Sequence, residues 1–164
     1  MDELQKKIDE FQKHVPMTDV TLLILKSHLI IEARLLEFIK ERVCDKIYKE
    51  ISEQREWTYH IRIFLAHALS DRDEIPSANS HIIWPALRML GKLRNQIAHD
   101  LEHKEHSLEN KMREFIKIVD YEGKRIGAKV TKENLLRVFW YATILLHSYL
   151  TIDRVPSRFC DENL

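Results

Sequence analysis

Three side chains suited to acting on an anion fall within six residues of this chain: Arg94, Asn95 and His99, in the stretch Leu90-Gly91-Lys92-Leu93-Arg94-Asn95-Gln96-Ile97-Ala98-His99-Asp100. An arginine and an amide can hold an anion, and a histidine can move a proton near neutral pH. The flanking leucines stand at helical spacing, so these polar groups ride on a core-forming element. At about 100° per residue, Leu93, Ile97 and Leu101 stay within about 60° of the line through Leu90, with Arg94 beside them. His99 points about 140° away from Arg94, whereas Asn95 and His99, four apart, share a face. A joint Arg94–His99 site therefore calls for a local break in the helix, or for a second copy of the stretch facing the first.

Other chemistry is thinner. His99 and His103 have the spacing of a helical metal pair and His106 follows, but no carboxylate or cysteine completes a set, so no metal site is expected. His28, His60, His67 and His147 sit in apolar helical runs and read as core or interface residues. No glycine-rich phosphate loop, nucleophile elbow or Cys–His signature is present, so no cofactor is implied. Cys44 and Cys160 are far apart and predict free thiols.

The elements that must carry these groups are helical. A chain of 164 residues fits one domain, and three glycines and four prolines leave few tight turns, while Leu, Ile, Glu, Lys and Arg abound. The expected fold is all-α, an up-and-down bundle of about five to six helices, as a single domain over residues 1–156 with a loose tail from Ser157 to Leu164. The 26 basic and 26 acidic side chains cancel, so net charge supplies no general attraction to nucleic acid or to an anionic membrane. RNA binding would need a local basic cleft. The N-terminus is charged without a secretion signal, and the longest apolar run, Phe139 to Leu146, is too short to span a bilayer, which predicts a cytoplasmic protein with no membrane partner.

Leu4, Ile8, Phe11 and Val15 predict a short amphipathic helix ended by Pro16. Thr18 or Asp19 can cap a long second helix that runs from Val20 through Ile39, Val43, Ile47 and Ile51 toward Gln54. A third, Trp57 to Leu69, is expected to bury Ile61, Phe64, Leu65, Ala68 and Leu69. After the breaker-rich Asp71 to Ser80, Pro85 is placed in the first turn of a fourth helix carrying the Leu87, Leu90, Leu93, Ile97 and Leu101 stripe. A fifth, Leu108 to Tyr121, turns Met112, Phe115, Ile116 and Val119 inward. Tyr121 to Val130 reads as a loop or, second, a short hairpin. Thr131 can cap the last helix, Glu133 to Ile152, apolar nearly all round and so central or at a dimer contact.

Arg94-Asn95-Gln96-Ile97-Ala98-His99 resembles the R-N-x-x-x-H form of the R-x(4-6)-H motif of the HEPN superfamily, the higher eukaryote and prokaryote nucleotide-binding domains. With Leu90 and Leu93 ahead of it, and His28-Leu29-Ile30-Ile31-Glu32-x-x-Leu35-Leu36 in the long helix, the pattern looks closest to the mannitol-repressor-like and DUF4145-like branches. The resemblance spans roughly residues 20 to 120. It implies a HEPN-like bundle and, by likeness to the catalytic members, a metal-independent endoribonuclease acting as a homodimer whose two motifs converge on one cleft. His99 would shuttle a proton, Arg94 hold the phosphate, and Asn95 orient His99 or donate to the phosphate, with Glu32 and His28 in support. Other branches keep the fold without nuclease activity and imply a regulator, antitoxin or immunity-type protein that acts through a protein partner. On that alternative Arg94 simply pairs with buried Glu32, and His99 contacts the next helix.

Overall fold

Asp19 starts the first described element, its carboxylate accepting the Leu22 amide at 2.9 Å, which satisfies one of the free donors of a helix start. The computed structural model describes residues 19–53, 58–70, 79–99, 105–120, 126 and 129–152, the side chains of 99, 105, 106 and 152 excepted. The helix expected before Pro16 and the tail after Pro156 lie outside them. The described residues form six helices, α1 Val20–Lys40, α2 Asp45–Glu53, α3 Tyr59–Ser70, α4 Ser80–His99, α5 Glu105–Val119 and α6 Leu135–Ile152, and among them there is no strand. The all-α bundle is as the composition predicts. No described helix is long and apolar enough to cross a membrane.

Helix α1 is the hub. It packs against α6, α3 and α4, and α5 closes the bundle between α4 and α6. Its buried residues recur as Leu23/Ile24, Ser27/His28, Ile31, Arg34/Leu35 and Phe38/Ile39, close to the 3.6-residue period. The buried Arg34 crosses to the end of α6, donating to the Leu150 carbonyl at 2.9 Å and the Thr151 hydroxyl at 3.1 Å, while Glu37 and Glu41 balance its charge. The last helix docks within the domain, burying Phe139, Trp140, Leu146 and Leu150. Its start is prepared one turn early: the Thr131 amide donates to Asn134 Oδ1 at 2.8 Å, and the Asn134 carbonyl accepts the first helical bond from Val138.

Three expectations are corrected. The single helix from Val20 to Gln54 is two helices, because α1 stops at Lys40. Arg42 turns back, donating to the Phe38 carbonyl at 3.2 Å and lying 3.6 Å over the Phe38 ring, and Cys44 restarts the ladder by accepting the Tyr48 amide. Helix α3 is rotated from the expected face: it buries Ile63, Ala66 and Ser70, while Phe64 is 74% and Ile61 44% exposed. Helix α4 begins at Ser80, with Asn79 accepting the Ile82 and Ile83 amides, so Pro85 falls inside the helix rather than in its first turn. The stripe Leu87, Leu90 and Leu93 is fully buried as expected, with Ile97 half-buried and Leu101 outside the described residues. The inward face of α5 is Met112, Phe115, Ile116 and Val119, also as expected. Between α5 and α6 the described Ile126, Lys129 and Val130 form no regular structure.

Candidate functional site

Where α1, α3 and α4 meet, they leave an open cleft of about 690 Å³. Helix α1 contributes His28 and Glu32, α3 contributes Tyr59, His60 and Arg62, and α4 contributes Arg88, Gly91, Lys92, Arg94 and Asn95. Four of these side chains are cations, Arg62, Arg88, Lys92 and Arg94, against the single carboxylate of Glu32. A chain of zero net charge thus concentrates positive charge in one hollow, where low-dielectric walls strengthen its field.

The pattern on α4 makes this local. Arg88, Lys92 and Asn95 follow one another at four and three residues along a face, while Leu87, Leu90 and Leu93 bury the opposite side. Lys92 and Arg94 leave the helix about 160° apart. Both nevertheless line the cleft, because long basic side chains can lie along the helix surface and bring their heads to one side. An angular separation of this size on α4 therefore does not keep two groups out of one hollow.

The inner wall is held tightly. A Cβ on Gly91 would meet Tyr59 Cε1 at 3.0 Å and Cδ1 at 3.1 Å, so the glycine lets the Tyr59 ring lie against the α4 backbone. The Tyr59 hydroxyl donates to the Leu87 carbonyl at 3.2 Å, and its ring centroid is 4.3 Å from that of His28. Burial, reinforced by Glu32, pushes the phenol's pKa far up, so Tyr59 stays protonated. His28 is buried with Nδ1 3.7 Å from Glu32 Oε2, too far for a hydrogen bond, and its Nε2 has no hydrogen-bond partner among the described residues. Burial is the largest influence on its imidazole and lowers the pKa; Glu32 opposes this and Arg94 adds to it, so His28 is neutral at pH 7.

Glu32 does not position Arg94. Its carboxylate accepts from Arg62 of α3, the nearest cation across the α1–α3 contact, and its other oxygen faces His28. Arg94 is exposed and donates to Asn95 Oδ1 at 3.1 Å. Neither Arg88, Lys92 nor Arg94 has a carboxylate partner among the described residues.

Four of the five expected site residues, His28, Glu32, Arg94 and Asn95, therefore line one cleft. His99 is the last residue of α4, one turn beyond Asn95, and its side chain lies outside the described residues. The helix is continuous through this position, so the local break considered from the sequence is absent. Among the described residues no three His, Cys, Asp or Glu side chains come together to hold a metal; His103 and the side chains of His99 and His106 lie outside that statement.

Sequence reasoning missed Arg62, Arg88, Lys92 and the packing role of Gly91. The Arg88–Lys92–Asn95 spacing was available as a signal, whereas Arg62 could be found only by knowing which side of α3 faces α1. Comparison of the chain with family models, curated proteins and solved structures finds no match.

Proposed function

We propose that the α1–α3–α4 cleft binds the phosphate backbone of RNA, in a HEPN-type protein whose Arg94, Asn95 and His99 cut it without a metal. The observation that carries the binding is the trio Arg88, Lys92 and Arg94, gathered in one hollow with no carboxylate partner among the described residues. Guanidinium and ammonium groups neutralise the phosphates of a nucleic-acid backbone. The cleavage rests on the motif's resemblance. The 2′-oxygen attacks the neighbouring phosphorus, the bond to the 5′-oxygen breaks, and a cyclic phosphate and a free 5′-hydroxyl result. His99 moves the proton from the attacking to the leaving oxygen, and Arg94 offsets the charge on the phosphoryl oxygens. Position 99 follows Asn95 by one turn, so one chain can bring the motif to the cleft rim, and a second subunit facing it would make the composite site of a homodimer.

Purified protein is expected to bind and cut single-stranded RNA, His99→Ala to bind it without cutting, and Arg94→Ala to do both poorly. The second reading, a non-catalytic regulator, antitoxin or immunity-type protein, is favoured by the balance of 26 basic and 26 acidic side chains. If wild-type protein neither binds nor cuts RNA, the first reading is wrong and the second remains.

A further inference from the structure

Beside the cationic cleft lies a second, shallower hollow of about 250 Å³, lined by His60, Ile61, Ile63, Phe64 and Arg88. His60, Ile63 and Arg88 line both hollows, so the two adjoin. Phe64 presents its ring here at 74% exposure, with Ile61 at 44% beside it. A large aromatic left this open costs solubility and contributes nothing to the core, so its position next to cations with no carboxylate partner among the described residues calls for a ligand that is both anionic and flat.

Resting on the RNA reading above, we infer that Phe64 is a stacking platform for an unpaired nucleobase, and that it makes the site selective for single-stranded RNA. The charges of Arg88, Lys92 and Arg94 take the phosphates, and the base of an adjoining nucleotide turns over the shelf onto Phe64, with Ile61 at its edge. Every base has a π face, so such a platform tolerates any sequence. A duplex keeps its bases stacked inside and can offer only its backbone. The shared Arg88 supports this occupant over a protein side chain, since it ties the apolar shelf to the anion site.

The test is a fluorescence-anisotropy titration of the full chain, carrying His99→Ala to prevent cleavage, with a labelled single-stranded oligoribonucleotide and an RNA duplex of the same length. Phe64→Ala in that background is expected to weaken single-strand binding by roughly 5- to 150-fold, the usual loss of one base–aromatic stack, and to leave duplex binding nearly unchanged. Phe64→Trp is expected to restore it. The salt dependence of single-strand binding should be the same in all three, because no charge is removed. Because the side chain is exposed, the Phe64→Ala variant should keep the wild-type circular dichroism and sedimentation profile. Equal single-strand affinity with and without the Phe64→Ala substitution overturns the inference and leaves the RNA reading intact. A loss that appears only together with a change in sedimentation also overturns it, assigning the patch to self-association. Absence of RNA binding by the parent protein removes both readings at once.

Discussion

If the cleft grips RNA through unpaired cations, its affinity must fall with salt at a slope that counts them. Among the described residues three cations are available, Arg88, Lys92 and Arg94; Arg62 is occupied by Glu32, and both members of that pair are mostly shielded from solvent, at 16% and 22% exposure. Each phosphate neutralised on a single strand contributes about −0.7 to the slope of log K against log salt, so three give about −2. Raising salt from about 50 to about 200 mM then weakens binding roughly 20-fold. Removing Arg88 or Lys92 as alanine should bring the slope to about −1.4. Glu32→Gln acts in the opposite direction: it releases the Arg62 guanidinium to the ligand and removes the one carboxylate that the described residues bring to the cleft. Binding should tighten, and the slope should steepen to about −2.8. Anisotropy titrations across a salt series in the non-cleaving His99→Ala background measure all four proteins. A slope shallower than about −1 in the parent, or weaker binding by the Glu32→Gln protein, would refute the charge count and with it the cleft as the binding site.

Two further predictions concern stability and protonation. Arg34→Ala is expected to cost about 2–4 kcal/mol in urea unfolding, because the buried Leu150 carbonyl loses its donor and the arginine stem its packing; a loss below about 1 kcal/mol would contradict this role. Glu37, at 62% exposure, adds little when left behind, since water solvates it. For His28, burial holds the folded pKa below the ordinary value near 6.5, so as pH falls through that value the unfolded chain takes up a proton that the folded one refuses. Stability should decline over this window until the folded pKa is passed, and His28→Gln should flatten the decline. An NMR titration that finds the His28 pKa at or above 6.5 would show the sign to be wrong; Arg94→Gln should raise it, because a neighbouring positive charge is removed.

Much of the fold is legible in the chain because helical periodicity is a local property. The Leu87–Leu90–Leu93 stripe, the inward face of α5 and the Asp19 cap each depend on residues within a few positions of one another. The break after Lys40 is not legible in the same way. Ile39, Val43, Ile47 and Ile51 continue at steps of four straight through it, yet α1 ends at Lys40, with Arg42 folded onto Phe38 just beyond. In α3 the apolar residues Ile61, Ile63, Phe64, Leu65, Ala66 and Leu69 surround too much of the helix to choose a face, and contact with α1 and α4 chose Ile63 and Ala66.

The candidate site divides along the same line. Arg94, Asn95 and His99 stand out by residue type and spacing, so the sequence by itself marks where side chains suited to an anion are concentrated. It cannot say which cation a carboxylate will take, since that depends on which helix lies opposite, and here Glu32 meets Arg62 of α3, leaving Arg94 on Asn95 with no carboxylate partner among the described residues. The balanced charge of the whole chain likewise hides the cationic cleft, because a sum over residues carries no positions. Only the packing of α1, α3 and α4, drawn close by Gly91 against Tyr59, gathers Arg62, Arg88, Lys92 and Arg94 around one hollow and leaves Phe64 exposed at its edge.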